Sequence, residues 1–339
     1  MIQLPKACLL ELTSVCNHRC LFCYCPWEND KNYNLKELPT SEWCAILDKL
    51  KTYGVEQVTF TGGEASTRKD LFEIIDHAHK LGYRIGLISN GKLLDEKFLR
   101  RLAPYDVMLN ISVPGIKTFA ETTQTDGVEH TLGLFDLCKK LGIHVGANIT
   151  VTKKNLSELY ENIALPIIHG ADTILINRFL PGGRGMQNQE FLLSQDEFNQ
   201  LLDVAESVLS KAGVHGYIGT ETPYCIVQTP DKYQWIHLSS MCAAGKGFFV
   251  IDPSGYVKVC NHSPQSCCHW KEIETLKDNP YWQKFVNHDY LPKMCQGCEH
   301  LGVKCEGGCR EAAHVANGAI DAPDPCFNEN KTKVRGVKL

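Results

Sequence analysis

Roughly the first two thirds of the chain alternate short apolar strands with amphipathic helices, and this alternation restricts the fold more than any other feature. Helices of eight or more residues between strands indicate βαβ units and a parallel sheet. Six such units predict an α/β fold, a partial (β/α)6 TIM-like barrel, with function at the C-terminal ends of its strands. The predicted strands are Leu9–Leu12, Gln57–Thr61, Arg84–Ser89, Val107–Ser112, His144–Thr150 and Thr173–Asn177, and the predicted helices are Ser41–Tyr53, Lys69–Leu81, Asp95–Leu102, Glu129–Leu141, Leu156–Ile168 and Gln195–Ala212.

From about residue 217 the periodic pattern ends, and glycine, proline, cysteine and histidine become frequent. Ten of the 17 cysteines lie at or after Cys225. A segment so poor in regular apolar pattern needs another source of stability, for which metal sites are the obvious choice. We therefore predict a barrel over residues 1–214, a cysteine-rich domain over 215–330 and a frayed tail over 331–339.

Composition excludes several classes of protein. A formal net charge of −4 leaves no basic footprint for nucleic acid. No stretch approaches the roughly 20 apolar residues that span a bilayer, and the N-terminus does not read as a signal peptide. We therefore expect a cytoplasmic protein, in which clustered cysteines more often bind metal than form disulfides.

Three cysteines, Cys16, Cys20 and Cys23, follow the first predicted strand within eight residues. Soft thiolate ligands suit iron–sulfur clusters or zinc. Three ligands would leave one iron of a four-iron cluster open to a further ligand. A structural zinc site is the alternative, with His18 or Cys25 as its fourth ligand.

The Cys-x3-Cys-x2-Cys loop after the first strand resembles that of the radical S-adenosylmethionine (SAM) superfamily. The resemblance implies that SAM chelates the open iron and is cleaved reductively to a 5′-deoxyadenosyl radical, which takes a hydrogen atom from the substrate. It also implies a one-electron donor such as flavodoxin or ferredoxin, and it places Phe22 near the adenine.

Further motifs at the strand ends match this family in order and position. Thr61-Gly62-Gly63-Glu64 resembles the family's glycine-glycine-glutamate motif, in which the glutamate accepts a hydrogen bond from the SAM ammonium. Each motif alone could be an ordinary turn or barrel residue. The resemblance implies that SAM is contacted by Gly62, Gly63, Glu64, Ser89, Asn90, Ser112, Asn148 and Arg178.

The C-terminal cysteines resemble the SPASM domain, an extension of many radical SAM enzymes that holds two auxiliary four-iron clusters. Cys295, Cys298, Cys305 and Cys309 form a dense group, in which six residues separate Cys298 from Cys305 where the usual pattern has five. The resemblance assigns Cys242, Cys260 and Cys309 to the first auxiliary cluster, and Cys295, Cys298, Cys305 and Cys326 to the second. The fourth ligand of the first cluster is open between Cys225, Cys267, Cys268 and the substrate, and a zinc ribbon is the alternative for the dense group.

Three residues are candidates for a role in catalysis. A thiol near the cavity could return a hydrogen atom to a substrate radical, which makes Cys25 and Cys225 candidates. Glu11, at the end of the first strand, could position substrate.

We expect an enzyme that modifies a ribosomally made peptide or protein by oxidation or epimerisation, because most SPASM relatives act on such substrates. Only 15 residues precede Cys16, so we expect a leader peptide to need a separate partner protein or another binding surface. The alternatives are a small-molecule epimerase or dehydrogenase acting on a sugar, aminocyclitol or nucleoside, and a non-catalytic metal-binding scaffold.

Overall fold

A computed structural model describes residues 2–28 and 36–327 of the chain, and its strands form one sheet. The strands are β1 Ala7–Glu11, β2 Gln57–Thr61, β3 Arg84–Ser89, β4 Met108–Ser112, β5 Val145–Val151, β6 Thr173–Arg178, β7 Gly216–Ile218, β8 Ile236–His237, β9 Phe248–Ile251, β10 Tyr256–Lys258 and β11 Cys268–His269. Their order across the sheet is β11-β10-β9-β1-β2-β3-β4-β5-β6-β7-β8.

The α-helices connect the strands or cover the sheet. They are α1 Thr40–Thr52, α2 Leu71–Lys80, α3 Glu96–Leu102, α4 Phe119–Thr123, α5 Val128–Leu141, α6 Leu159–His169, α7 Gln195–Ala212, α8 Pro280–Val286 and α9 Arg310–Asn317. None of the helices within these described ranges is long and apolar enough to cross a membrane.

Strands β1 to β6 lie side by side in chain order and are all parallel, which confirms the partial TIM-like barrel expected from the sequence. The six predicted strands agree with the observed ones within two residues. The predicted helix over Leu156–Ile168 begins instead as a 3-10 turn, Leu156–Glu158, before α6. Because parallel strands end at the same edge, the residues that follow β1 to β6 are collected around one opening.

The long helices carry their own start and stop signals. Ser194 caps α7 and forms a capping box with Glu197, each side chain bonding to the other's backbone nitrogen. Gly142 and Gly213 end α5 and α7 in the left-handed conformation, which a glycine adopts without a steric penalty. These local signals explain why both helices were readable from sequence.

The cysteine-rich segment continues the barrel's sheet. Strand β9 pairs in parallel with β1, and β10 and β11 follow it as antiparallel neighbours. On the other side, β7 pairs with β6 beyond the predicted boundary at residue 214. Strands β7 to β11 have two to four residues, too few to show an alternating pattern, and sequence reasoning therefore missed them.

One apolar core extends through both regions. It contains Phe60 and Trp43 of the barrel as well as Phe249 and Trp282 of the C-terminal part, all fully buried. The Phe249 and Trp282 rings meet edge-on, with centroids 6.1 Å apart. This shared core holds the cysteine-rich segment against the edge of β1.

Candidate functional site

A single cavity of about 420 Å³ opens at the C-terminal ends of the barrel strands. Its lining comes from the loop after β1, from the ends of β2 to β6 and from the C-terminal segment. This volume is in the usual range for small-molecule sites. The sequence-predicted residues that line it are Cys16, Cys20, Phe22, Cys23, Cys25, Gly62, Gly63, Glu64, Ser89, Asn90, Ser112, Asn148, Arg178, Cys242, Cys260 and Cys309.

The loop that carries Cys16, Cys20 and Cys23 is held through its backbone carbonyls from two sides. Gly63 and Glu64 donate backbone hydrogen bonds to Thr13 and Val15 at 2.7 and 2.9 Å. Arg184 Nη1 donates to the Cys20 carbonyl at 2.9 Å, and the Gly185 amide donates to the Cys23 carbonyl at 3.0 Å. The glycine-rich loop after β6 therefore orders the cysteine loop.

The two glycines after β2 are required by close packing. A Cβ atom on Gly62 would clash with the Thr13 carbonyl, and one on Gly63 would clash with the carbonyls of Ser14 and Val15. Gly62 also has a φ of 132°, which side chains rarely adopt. The Gly-Gly pair thus allows the turn to lie directly against the cysteine loop.

We predict that Gly63→Ala costs about 1–3 kcal/mol of unfolding free energy, because backbone atoms and not a flexible side chain occupy the space. Iron bound per chain should fall as well, since the displaced segment leads into Cys16. Chemical unfolding and iron analysis under anaerobic conditions would measure both effects. Gly133→Ala in α5 is the matched control. Its Cβ meets nothing within 4 Å, so it should be neutral or stabilising by about 0.5–1 kcal/mol.

Glu64 connects the glycine turn to the end of β3. Its carboxylate is buried and accepts hydrogen bonds from Ser66 Oγ at 2.6 Å, Ser89 Oγ at 2.8 Å and the Asn90 amide at 2.7 Å. Asn90 Nδ2 donates to Asn17 Oδ1 at 2.7 Å and lies 3.8 Å from the Cys16 sulfur. Glu64 and Asn90 therefore hold the cavity wall beside Cys16.

Polar groups from the next strands complete the wall. Ser112 and Asn148 are register partners on β4 and β5, and both are half-buried. Asn148 Oδ1 accepts a hydrogen bond from Asn177 Nδ2 at 2.7 Å, and Asn177 Oδ1 accepts one from Thr220 at 3.2 Å. This row of amides offers donors and acceptors along one side of the cavity.

Arg178, at the end of β6, is a buried charged group of the cavity wall. It forms a 2.6 Å ion pair with Asp324 and also donates to the Glu221 carbonyl at 2.7 Å. The side chains of Arg178 and Asp324 are 3% and 1% exposed. Asp324 in turn accepts backbone hydrogen bonds from Cys309 at 2.7 Å and Cys326 at 2.9 Å. The pair therefore links the barrel to both groups of C-terminal cysteines.

Cys242, Cys260 and Cys309 lie on the C-terminal side of the same cavity. All three are buried, and burial raises the pKa of each thiol, with the neighbouring charges raising it further. The Glu221 carboxylate is close enough to raise the pKa of Cys242 and Cys309. We term Cys242, Cys260 and Cys309 the first C-terminal set.

A second pocket lies in the dense cysteine segment, and its lining includes Cys225, Cys295, Cys298 and Cys305. Cys225 therefore lies with the dense group. It does not line the large cavity, although the sequence pattern made it a candidate there as a cluster ligand or hydrogen-atom donor. Cys268, a further alternative, lies on β11, and Cys267 precedes it directly.

Of the two remaining catalytic candidates, only Cys25 reaches the cavity. Its thiol is 5% exposed and lies 4.0 Å from the Gly62 carbonyl. Glu11 is 1% exposed and forms a 2.8 Å ion pair with Lys258 of β10, whose side chain is equally buried. Glu11 is thus part of the contact between the barrel and the C-terminal hairpin.

We predict that Lys258→Met lowers the unfolding free energy by about 3–5 kcal/mol, because it leaves the buried Glu11 without its counter-charge. The double variant Glu11→Gln, Lys258→Met should be less destabilised than the single variant, since no uncompensated charge remains. Denaturant unfolding of the three proteins measures the difference. Equal losses in the single and double variants would argue against a contribution from the pair.

Some cavity residues were not found by motif reasoning. Asn261, Glu221 and Glu311 line the cavity together with His262, whose ring centroid lies 4.4 Å from that of Tyr24. Burial lowers the pKa of His262 to about 4, so its imidazole is neutral at pH 7. Asn261 could have been found, because it follows Cys260 directly.

The Cys16, Cys20 and Cys23 thiols fit an iron–sulfur cluster by their chemistry and grouping. Burial and the charges of Cys23 and Cys16 raise the pKa of the Cys20 thiol, so the three groups lie close together. No group of three or more His, Cys, Asp or Glu side chains in residues 2–28 and 36–327 could hold a single metal ion. A four-iron cluster takes one thiolate per iron and does not require convergence on one atom.

Comparisons with known proteins agree with this geometry. The model of the radical SAM superfamily matches residues 10–165. The PqqA peptide cyclase of Granulibacter bethesdensis is 27% identical, with 96% of this chain and 87% of the relative aligned. The AdoMet-dependent heme synthase of Methanosarcina barkeri is 26% identical, over 96% of this chain and 97% of the relative.

Among solved structures, Streptococcus suis SuiB bound to the precursor peptide SuiA superposes with a TM-score of 0.76 at 17% identity. The match covers 96% of this chain and 77% of SuiB, so the fold is shared over nearly the entire chain. The cysteine loop, the Gly-Gly-Glu turn and the ends of β2 to β5 that surround this cavity all lie within the residues that match the radical SAM superfamily.

Proposed function

We propose that this enzyme modifies a ribosomally made peptide or protein by oxidation or epimerisation. Cys16, Cys20 and Cys23 would hold the SAM-binding cluster, and the C-terminal cysteines would hold two auxiliary clusters. When bound, SAM and the reduced cluster supply a 5′-deoxyadenosyl radical that removes one hydrogen atom from the substrate.

The observation that carries this proposal is that one cavity is shared by two sets of thiols. Cys16, Cys20 and Cys23 line one side, and the first C-terminal set lines the other. A substrate bound between them would be exposed to hydrogen abstraction on one side. On the other side, a cluster held by the first C-terminal set could accept the second electron of an oxidation.

The chain's own residues would bind and orient the reactants. Asn148 and Asn177 offer amide groups along the barrel wall, and Asn90 is in place to hold SAM beside Cys16. The closed packing of the glycine turn against the cysteine loop would keep bulk water from the radical site. Such exclusion prevents the reactive intermediate from being quenched by solvent.

The names of two similar proteins support a peptide substrate. The Granulibacter relative is a peptide cyclase, and SuiB was solved with a precursor peptide. We further propose that a flavodoxin or ferredoxin supplies the electron and that a separate protein presents the leader peptide.

A small-molecule substrate is the second candidate, because the relative from Methanosarcina barkeri is named for the synthesis of heme. The sugar, aminocyclitol and nucleoside substrates considered above belong to the same class.

The test is an anaerobic assay of the iron-loaded protein with SAM, dithionite and the short peptides encoded beside its gene. We expect 5′-deoxyadenosine to form and one peptide to change, either by loss of two hydrogens or by uptake of deuterium from D2O. Mass spectrometry detects both. The peptide proposal fails if 5′-deoxyadenosine formation is stimulated only by small molecules and every peptide is returned unchanged.

A further inference from the structure

A short turn, residues 13–15, leads from the end of β1 into Cys16. The Thr13 hydroxyl accepts a hydrogen bond from the Val15 amide at 3.0 Å, which closes the turn. On one side, the carbonyls of Thr13 and Val15 accept the two backbone hydrogen bonds from the Gly-Gly-Glu turn after β2. Because Cys16 follows Val15 directly, a movement of this turn would move Cys16 as well.

Glu37 holds the turn from another side. Its Oε1 atom accepts hydrogen bonds from the Thr13 hydroxyl at 2.8 Å, the Ser14 amide at 2.8 Å and the Ser14 hydroxyl at 2.9 Å. All three distances are in the normal range for strong hydrogen bonds. The turn that leads into Cys16 is therefore clamped between Glu37 and the Gly-Gly-Glu turn.

The segment that carries Glu37 is itself fixed to two other parts of the fold. The Leu38 amide donates to the Pro253 carbonyl at 2.9 Å, in the connection between β9 and β10. Arg68 Nη1 donates to the Leu12 carbonyl at 2.9 Å and to the Leu38 carbonyl at 3.2 Å. Glu37 thus extends from a fixed backbone, and it cannot follow a displaced turn without breaking these contacts.

Glu37 is in a position to act on the cysteine loop without touching the reactants. It is half-buried and does not line the large cavity. Its contact Ser14 lies two residues before Cys16, whose sulfur is 3.8 Å from Asn90 Nδ2 on the cavity wall. A displacement of Cys16 would therefore change both the place of the cluster and the place of SAM beside it.

We propose that Glu37 is a positioning residue, which fixes Cys16 and with it the SAM-binding cluster through the polar groups of Thr13 and Ser14. This inference rests on the proposed function, because it requires that the Cys-x3-Cys-x2-Cys loop holds the cluster that cleaves SAM. Neither the cysteine motif nor the Gly-Gly-Glu motif includes Glu37, and only the tertiary contacts connect it to the site.

The test compares two substitutions of similar size in the full, iron-loaded chain. Glu37→Gln keeps a strong oxygen acceptor for Thr13 and Ser14, whereas Glu37→Met offers only a weak sulfur acceptor. Both should keep the iron of the unmodified enzyme, since all three thiols remain. In Glu37→Met, 5′-deoxyadenosine formation should fall by up to roughly 100-fold, because a displacement of about 1 Å can cost that much. Its electron paramagnetic resonance spectrum with SAM should change, while Glu37→Gln keeps the original rate and spectrum.

Glu206→Met is the matched control. Glu206 is also half-buried, and it accepts three backbone hydrogen bonds at 2.9 to 3.0 Å from residues 234–236, away from the large cavity. This variant should lose stability but keep the spectrum with SAM. Ser14→Ala removes only one of the three bonds to Glu37, so it should change the spectrum in the same sense as Glu37→Met but less. It provides the test if circular dichroism shows that Glu37→Met does not fold.

The outcomes separate this inference from the proposed function. A folded Glu37→Met protein with the original rate and spectrum overturns the inference. A Glu37→Gln protein as impaired as Glu37→Met does so too, because the retained acceptor would then make no difference. If the unmodified enzyme binds iron but forms no 5′-deoxyadenosine, the proposed function itself is wrong.

Discussion

Replacing Cys20 with alanine is expected to abolish the formation of 5′-deoxyadenosine from SAM. Cys20 is one of the three thiols of the Cys-x3-Cys-x2-Cys loop, and with two of these ligands left the cluster has no stable attachment. Iron should fall by roughly 4 atoms per chain, while the C-terminal clusters remain. The measurements are product analysis by liquid chromatography after dithionite reduction, and iron content of the same sample.

Cys44→Ala is the matched control for this loss. Cys44 lies in α1, is half-buried and belongs to none of the cysteine groups around the two pockets. It should keep the iron content and the product of the unmodified enzyme. If Cys20→Ala still produced 5′-deoxyadenosine at the original rate, the assignment of the SAM-binding loop would be wrong.

Replacing Asp324 with asparagine is expected to cost about 3–5 kcal/mol of unfolding free energy, because Arg178 would remain buried without its counter-charge. Burial opposes ionisation, yet the Arg178 guanidinium keeps the pKa of Asp324 below its usual value. The carboxylate is therefore charged at neutral pH, and the substitution removes a full negative charge from beside Arg178. Anaerobic denaturant unfolding of the two proteins measures the cost.

Two further variants show whether the charge causes this effect. The double variant Arg178→Met, Asp324→Asn should recover part of the lost stability, since it removes the unpaired charge. Lys6→Met, which breaks an exposed ion pair with Glu56, should change stability too little to measure. A double variant no more stable than Asp324→Asn would show that the cost has another origin, such as the lost hydrogen bond to Cys309 or Cys326.

The barrel could be read from sequence because its signals are local. The strand and helix bounds of β1 to β6 follow from apolar periodicity, and Gly142 and Gly213 mark the helix ends. The C-terminal strands could not be read, because two to four residues carry no period and their pairing partner, β1, lies far away in the chain.

Part of the candidate site could likewise be predicted from the sequence, and part of it could not. The motifs located the side chains that line the cavity, including Glu64 and Asn90. They did not locate Glu221, which has no motif around it, or Glu311, which lies two residues after Cys309. They also did not show that Cys225 lies beside Cys295, Cys298 and Cys305, because spacing along the chain does not report how a loop folds back.

The cysteine loop could be identified from the sequence alone, because Cys16, Cys20 and Cys23 lie within eight residues of one another. Only the tertiary structure decided which distant groups meet: Glu11 with Lys258, Arg178 with Asp324, and Cys225 with Cys305. These contacts join residues from separate segments of the chain. Their partners are selected by the burial of charge and by shared packing, which exist only once the sheet has formed.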